Sequence, residues 1–313
     1  MEVVHGLPPA INERPTALTI GVFDGVHLGH QHLLGATVAR ARALGWQSAA
    51  LTFDPHPDTV VHPERRRLYL TSLDERVELI AALGVDLLVV LQFTRATMEQ
   101  TAQEFMYHVS QAVALRELWV GWDFALGRKR EGNVQTLREI GELYGYTVHP
   151  VDPLLIGGAP VSSSRIRAAL AAGDVVGAAL LLGRPYRLRA PVVEGDRRGR
   201  TIGFPTANLA VSEDRVLPAD GVYVCRAVVG GQRYGAVTNV GVRPTFAGVQ
   251  RRVEAYLLDF TGDIYGETIN LSFLDRLRGE QKFDGVAALV AQIERDTVAA
   301  RAWLAANAEL PGG

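Results

Sequence analysis

The sequence predicts an α/β plus β protein: an N-terminal parallel sheet covered by helices, then an antiparallel β-barrel or sandwich closed by one long helix. Three observations carry this. The chain has 313 residues, enough for two ordinary domains with separate cores. From Ala17 to about Tyr146, short apolar runs alternate with helix-period segments, the pattern of a parallel sheet with helical crossovers. After Arg184 the runs become alternating and β-branched-rich between glycine turns, the pattern of antiparallel strands.

The first five strands are expected at Leu18 to Phe23, Ala49 to Phe53, Leu87 to Phe93, Leu118 to Trp122 and Tyr146 to Val151. Leu33, Leu34, Val38 and Ala41 fit a helix after the first of them. Ser72-Leu-Asp-Glu75 and Thr97-Met-Glu-Gln100 have capping-box spacing and should each open a helix, the former ending at Gly84. Ser164 to Leu182 reads as helical with a break at Gly173-Asp174, and Gly183-Arg-Pro185 marks a boundary. The expected domains are therefore 1–183 and 184–313. In the second, strands are expected at Gly221 to Val229, Tyr234 to Val240, Val253 to Phe260 and Thr268 to Phe273. Asp284 to Ala306 carries Val286, Leu289, Val290, Ile293, Val298 and Leu304 at broadly helical spacing, so one amphipathic helix closes the chain.

Composition excludes several function classes. The formal net charge of −2 argues against a general nucleic-acid binder, whose affinity rests on neutralising backbone phosphates. The single cysteine, Cys225, excludes an internal disulfide and a multi-cysteine zinc site, and its alternating strand makes it apolar filler. No run approaches the ~20 apolar residues of a membrane span, and the N-terminus lacks the basic start and apolar core of a secretory signal. A cytoplasmic protein is expected. The lysines, Lys129 and Lys282, stand outside any G-x-x-x-x-G-K-[ST] setting, which argues against Walker-type phosphate binding and Schiff-base chemistry.

The first strand runs into Gly21-Val-Phe-Asp-Gly-Val-His-Leu-Gly-His30 and then a helix. In a parallel sheet that turn lies at the carboxyl edge, where ligands bind, and the helix N-terminus offers free N–H groups to an anion. Gly25 and Gly29 would let a phosphate approach the backbone. A metal pair or two incidental surface histidines are the alternatives for His27 and His30. Asp54-Pro-His56-Pro reads as a proline-bracketed loop or a ligand wall, and Arg128-Lys-Arg130 as a solvated turn or a phosphate-contacting loop. Ser162-Ser-Ser-Arg-Ile-Arg167 reads as a second anion site or an ordinary serine N-cap.

The His27-x-Gly-His30 turn resembles the signature of the nucleotidylyltransferase superfamily. Phe23-Asp-Gly-Val-His27, Thr52-Phe-Asp-Pro-His-Pro57, Val120-Gly-Trp-Asp-Phe124 with Gly127 and Gly132, and Val161-Ser-Ser-Ser-Arg-Ile-Arg167 together resemble the adenylyltransferase half of the bifunctional riboflavin kinase/FAD synthetase family. The resemblance implies a Rossmann-like domain in which His27 and His30 contact ATP phosphates and stabilise charge at the α-phosphorus, by positioning and electrostatics. It implies ATP or phosphate contacts for Gly21, Phe23, Asp24, Gly25, Gly29, Asp123, Ser163, Ser164 and Arg167, and flavin contacts for Phe53, Asp54 and His56. Relatives usually carry threonine at the position of Ser164, which keeps the hydroxyl, and some carry asparagine at that of Asp123. Asp123 could equally anchor the following loop.

In the C-terminal half, Gly199-Arg-Thr-Ile-Gly-Phe-Pro-Thr-Ala-Asn208 starts glycine-rich and ends in two oxygen-bearing side chains two residues apart. In an extended conformation Thr206 and Asn208 share a face, and their hard oxygens suit magnesium held jointly with nucleotide phosphates. A turn followed by a polar strand is the alternative. Leu217-Pro-Ala-Asp-Gly-Val-Tyr223, Thr238-Asn-Val-Gly-Val-Arg-Pro-Thr-Phe246, Val253-Glu254 with Asp259-Phe260, Tyr265-Gly266, and Leu277-Arg-Gly-Glu-Gln-Lys-Phe283 resemble the riboflavin kinase domain. That resemblance implies a β-barrel, ATP and Mg²⁺ on Thr206 and Asn208 with Gly199 and Gly203, Glu254 as the catalytic glutamate, and Arg243 and Arg278 towards the flavin. Arg243 and Arg278 could also be ordinary ion-pair partners. Tyr223, Phe246 and Phe283 read as core or rim aromatics. The implied protein makes FMN from riboflavin and ATP, then FAD from FMN and ATP, with Mg²⁺ as cofactor and no nucleic-acid or membrane partner. An adenylyltransferase for another cofactor precursor, or a flavin-binding regulator with one inactive half, are the rivals; Thr206, Asn208 and Glu254 count against the first.

Overall fold

Strand-forming segments at the start of the chain assemble into one parallel sheet. The computed structural model of the chain describes residues 1–7, 14–195, 199, 202–245 and 248–308, with backbone alone for 243–245 and 248–250. In chain order the first elements are β1 (Glu2–His5), β2 (Thr16–Ile20), α1 (Leu28–Leu44), β3 (Gln47–Phe53), α2 (Pro57–Val61), α3 (Leu73–Ala82), β4 (Leu87–Leu91), α4 (Arg95–Glu99), α5 (Ala102–Ala112) and β5 (Leu115–Gly121). There follow β6 (Ala125–Leu126), a 3₁₀ turn (Arg128–Arg130), β7 (Gly132–Asn133), α6 (Val134–Tyr144), β8 (Thr147–Val151), β9 (Leu155–Ile156) and β10 (Ala159–Pro160). The second half holds α7 (Ser163–Ala172), α8 (Val175–Leu182), β11 (Tyr186–Val193), β12 (Ala207–Leu209), β13 (Gly221–Val229), β14 (Gln232–Thr245), β15 (Gly248–Leu257), β16 (Thr268–Gly279) and α9 (Val286–Ala306).

The parallel sheet runs β1-β4-β3-β2-β5-β8. β2 and β3 are buried at every residue, because helices cover both faces. Phe105, Met106 and Val109 of α5 with Leu137 and Ile140 of α6 pack on one face; Leu33, Leu34 and Val38 of α1 with Ile80 of α3 pack on the other. The chain builds outward from β2 through β3 and β4, then returns to place β5 on the other side of β2. That reversal opens a crevice beyond the carboxyl ends of β2 and β5.

The sheet edge and the second capping box differ from the sequence expectation. β1 pairs with β4 at the sheet edge although its side chains are largely exposed, so it lacks the apolar run that marks the other strands. The capping box expected at Thr97 to Gln100 is absent. The Thr94 hydroxyl accepts from the Thr97 N–H and opens α4, while the reciprocal box is Thr101 with Glu104 at the start of α5. The Ser72–Glu75 box is present at α3.

The second half contains a closed barrel of order β11-β12-β15-β14-β13-β16, so the choice between barrel and sandwich falls to the barrel. Alternation along β11 buries Tyr186, Leu188, Ala190 and Val192. α9 lies over Val222, Val224, Val237, Leu258 and Leu274 through Ala300, flanked by Trp303 and Leu304. Its expected apolar stripe is only partly inward: Val286 and Val298 are exposed, while Asp296 is buried by its pairing with Arg278.

The chain divides into two compact units, Met1–Ser163 and Ser164–Gly313. α7 and α8 go with the barrel: Leu170 and Ala172 carbonyls accept from Ala219 N–H and Arg276 Nη1, and α8 packs on β11 and β16. Gly173 at +80° makes room for the Arg276 guanidinium, and Asp174 then caps α8.

Candidate active sites

In the first unit, the turn after β2 carries the histidines. Phe23, Gly25 and Val26 all have positive φ, a costly run that folds the chain sharply back into α1. His27 is the N-cap of α1, its Nδ1 accepting from His30 N–H at 3.2 Å, which puts the ring proton on Nε2. The His27 and His30 rings stack with centroids 3.5 Å apart, and Phe23 meets His30 edge-on. Gly29 is required here, since a Cβ would stand 3.2 Å from the His27 ring and from the Val161 carbonyl. Gly21 lies flat beneath the Phe23 ring, whose nearest atom would be 2.8 Å from any Cβ.

Burial, then the neighbouring His27 and Arg76, hold His30 well below the ordinary histidine value of 6.5. Its Nδ1 is buried without a hydrogen-bond partner among the described residues. A neutral His30 and an Nε2-protonated His27 thus sit where the helix N-terminus presents its N–H groups. A His–His metal pair finds no third ligand: no group of three or more His, Cys, Asp or Glu suited to a metal occurs among the described residues.

The other expected residues of this unit fall into two groups. Asp24 is buried and its Oδ1 accepts from Leu70 N–H, Thr71 N–H and the Thr71 hydroxyl, while its carbonyl accepts from Ser163 Oγ. Gly25 N–H donates to Thr71. Phe53 packs in the core against Phe93 and Phe105. These residues shape the turn. Asp54 and His56 stand at the carboxyl end of β3: Asp54 lies 3.5 Å from Arg76, and buried His56 caps α2 and meets Arg67 through Nε2. Asp123 is exposed in the turn after β5, across the crevice opening. Arg128 to Arg130 are exposed in a turn held by Arg128 N–H to the Gln100 carbonyl, with Gly127 lodged against Ala102. Ser164 and Arg167 lie on the first turns of α7, within the second unit.

In the second unit, register sets the site. Asn208 on β12 stands directly opposite Glu254 on β15, and Asn239 on β14 stands opposite Glu254 from the other side. Neighbours so paired have Cβ atoms ~5 Å apart. Asn208 and Glu254 alternate with buried Ala207, Leu209, Val253 and Ala255, so all three polar side chains leave the barrel on its outer surface. None has a hydrogen-bond or ion-pair partner among the described residues. Register thus sets one carboxylate between two asparagine amides on the outer surface of the barrel.

Gly195 admits the Asn208 amide, whose Nδ2 would lie 2.2 Å from a Cβ, and Gly199 lies near Thr206 Oγ1. Gly203 has φ of +88°, which favours glycine in the turn before β12. A pocket beside Thr206 is walled by Pro205, Ala207, Ala255, Leu257 and the loop from Phe260 to Tyr265. Glu280 Oε1 occupies the space a Gly241 side chain would fill, near Asn239. Arg278 is forked onto Asp296 at 2.8–3.1 Å, as its ion-pair reading expects. The Arg243 side chain and Phe246 lie outside the described residues. Tyr223 is core, and Phe283 lies under the Arg278 guanidinium. Burial pushes the Cys225 thiol up to about 12, which leaves it inert. Sequence reading missed Asn239, although it lies inside a quoted motif, because only strand register reveals its partner. It also missed Arg76, which carries no motif.

A histidine turn at the edge of a parallel sheet in one unit, and a carboxylate flanked by two asparagines on a barrel in the other, fit a two-headed group-transfer enzyme. The family model for FAD synthetase matches residues 10–165, and that for riboflavin kinase matches 182–304. A bifunctional riboflavin kinase/FMN adenylyltransferase of Listeria monocytogenes is 39% identical over 92% of each chain. One from Pseudomonas fluorescens is 38% identical over 98% of this chain and 99% of its own. A crystal structure of a macrolide-efflux protein from Streptococcus pneumoniae superposes with TM-score 0.88 at 34% identity, covering 96% of this chain and 99% of that one. Among the described residues no helix is long and apolar enough to cross a membrane. The chain belongs to the bifunctional riboflavin kinase/FMN adenylyltransferase family.

Proposed function

We propose that the chain phosphorylates riboflavin to FMN and adenylylates FMN to FAD, with ATP as co-substrate in both steps. The observation that carries this is the coexistence of both sites in one chain of the family, each in its own compact unit. Adenylylation is expected of 1–183 and the kinase step of 184–313, with α7 and α8 packed on the barrel that carries the second. A cytoplasmic location fits the absence of any described membrane-crossing helix.

In adenylylation, an FMN phosphate oxygen attacks the α-phosphorus of ATP and pyrophosphate leaves. His27 donates from Nε2 to the phosphates, and His30, held neutral, serves as a hydrogen-bonding partner that brings no charge to desolvate. Asp123 and Ser163 serve the nucleotide, and Asp54 and His56 face the flavin. Gly25 and Gly29 keep the backbone open to phosphate. In the kinase step, the terminal ribityl hydroxyl attacks the γ-phosphorus and its proton passes to Glu254, while ADP leaves. The pocket beside Thr206 takes the nucleotide, and Arg243 and Arg278 border the flavin side, the latter by fixing α9.

Mg²⁺ fits Thr206 and Asn208: both offer unpartnered neutral oxygens, and the space kept by Gly195 and Gly199 leaves their side chains accessible to a phosphate. When bound, the ion neutralises phosphate charge.

The test is conversion of riboflavin by the purified chain with ATP and Mg²⁺, followed by chromatography of flavins. FMN and then FAD should accumulate. Glu254→Gln should cut kinase turnover by ~10²–10⁴-fold while riboflavin and ATP affinity, melting temperature and FAD formation from supplied FMN hold. Near-normal phosphorylation by that variant removes Glu254 as the base.

A further inference from the structure

Arg76 is among the most deeply buried large side chains of the protein, at 1% exposure. It comes from α3, the helix whose start is fixed by the Ser72–Glu75 capping box. Its Nη1 lies 2.9 Å from the Val22 carbonyl, 3.0 Å from the Phe53 carbonyl and 3.2 Å from Thr52 Oγ1. The Thr52 hydroxyl itself donates to the Val22 carbonyl at 2.9 Å. Nη2 stands 3.5 Å from Asp54 Oδ1. Val22 is the residue before the turn that carries the histidines, and Phe53 the residue before Asp54-Pro-His56. One guanidinium therefore joins the exits of two adjacent parallel strands.

A buried cation costs several kcal/mol unless it is paired and hydrogen-bonded, and leucine would fill this space without that cost. Asp24, Asp54 and Tyr69 offset part of the burial that weakens its proton affinity. Its Nε has no partner among the described residues. The charge also bears on His30, after burial and the stacked His27: Nη1 holds the Val22 carbonyl, one residue from the Phe23 ring that meets His30 edge-on. Since Arg76 is sealed from solvent, it cannot touch substrate.

We propose that Arg76 is the positioning residue of the adenylylation site: it locks the histidine turn and the Asp54–His56 loop into one edge and places a fixed positive charge behind His30. This rests on the proposed adenylyltransferase activity of the first unit. The clamp explains why two loops from different strands hold a common geometry, and the charge adds to the burial and to His27 in keeping His30 neutral. Arginine suits both, because Nη1 holds the two carbonyls while Nη2 stands towards Asp54, and lysine offers a single nitrogen.

The experiment uses the full-length chain with Arg76→Gln and Arg76→Lys, measuring kinase and adenylyltransferase rates in the same preparations across pH. Kinase turnover is the internal control, since its residues lie in the other unit. Arg76→Gln should lower adenylylation kcat at least tenfold, with kinase turnover within twofold, and should move the acid limb of the adenylylation profile to higher pH as His30 becomes easier to protonate. Arg76→Lys should keep the acid limb near its original pH while kcat still falls, because the charge remains and one nitrogen cannot both hold the two carbonyls and stand towards Asp54. Adenylylation within twofold of the unaltered chain in both variants overturns the proposal. So does a loss of rate in both variants with no difference in their acid limbs, which a purely structural arginine produces. Should Arg76→Gln fail to fold, Arg76→Lys decides alone, by kcat against KM: a fall in kcat with KM within twofold supports positioning, and a fall only in thermal stability overturns it. Absence of adenylylation in the unaltered chain is a different result, and it defeats the assigned activity instead.

Discussion

His30 shows how one residue couples chemistry to stability. In the unfolded chain it titrates near 6.5, and in the fold burial, His27 and Arg76 hold it well below that. A depressed value means the unfolded state binds the proton more readily. The stabilisation is therefore fully present above 6.5 and is lost as pH falls from there through the folded value. The melting temperature of the first unit should drop on acidification below about 6.5, and His30→Gln should flatten that slope by removing the titrating group. A slope unchanged in the variant would assign the acid sensitivity elsewhere. The same residue scale separates side chains that resemble one another in sequence. Asp24 and Asp123 both follow a strand, yet Asp24 is consumed by Leu70 and Thr71 while Asp123 is exposed at the crevice.

At the scale of elements, caps and forks decide which helices can carry a site. The Ser72–Glu75 box fixes where α3 begins and so where Arg76 points, and His27 caps α1 while belonging to the site. α9 is held differently: Asp296 accepts the Arg278 fork and Gln292 Nε2, and it is nearly sealed from solvent. By contrast the Arg301–Asp259 pair on the same helix is exposed, and such pairs contribute little. Asp296→Ala leaves the arginine without its partner and should cost about 2–3 kcal/mol. Calorimetry should show a lower melting temperature for the second unit, and kinase activity should weaken while FAD formation from supplied FMN persists. Arg301→Ala, measured alongside, should change stability by less than ~1 kcal/mol. Equal effects from the two would contradict this ranking.

For the whole molecule, the question is where one unit ends. Packing assigns α7 and α8 to the barrel: Ile166, Leu170, Val175 and Leu182 are buried, and Ala219 and Arg276 bond to the end of α7. A fragment 164–313 should therefore fold and make FMN from riboflavin but no FAD. A fragment 186–313, which exposes the surface that α7 and α8 covered, should melt at lower temperature. FAD made from FMN by either fragment would break the division of labour. Much of this architecture was legible in the chain itself, because hydrophobic period is a local property: the buried runs of the parallel sheet, the Ser72 box, the break at Gly173-Asp174 and the long closing helix are all set by neighbours within a few residues. Motif spacing likewise carried the histidine turn, Thr206, Asn208 and Glu254. Tertiary structure alone decided the rest. Edge strand β1 has no apolar run to announce it and forms only because β4 offers an unpaired edge. Asn239 meets Glu254 only through register, and Arg278 meets Asp296 only once α9 is laid on the barrel. Arg76 belongs here too: an arginine in an amphipathic helix reads as solvated, and only the assembled sheet brings the carbonyls of Val22 and Phe53 to one point, where the buried Nη1 can bind both.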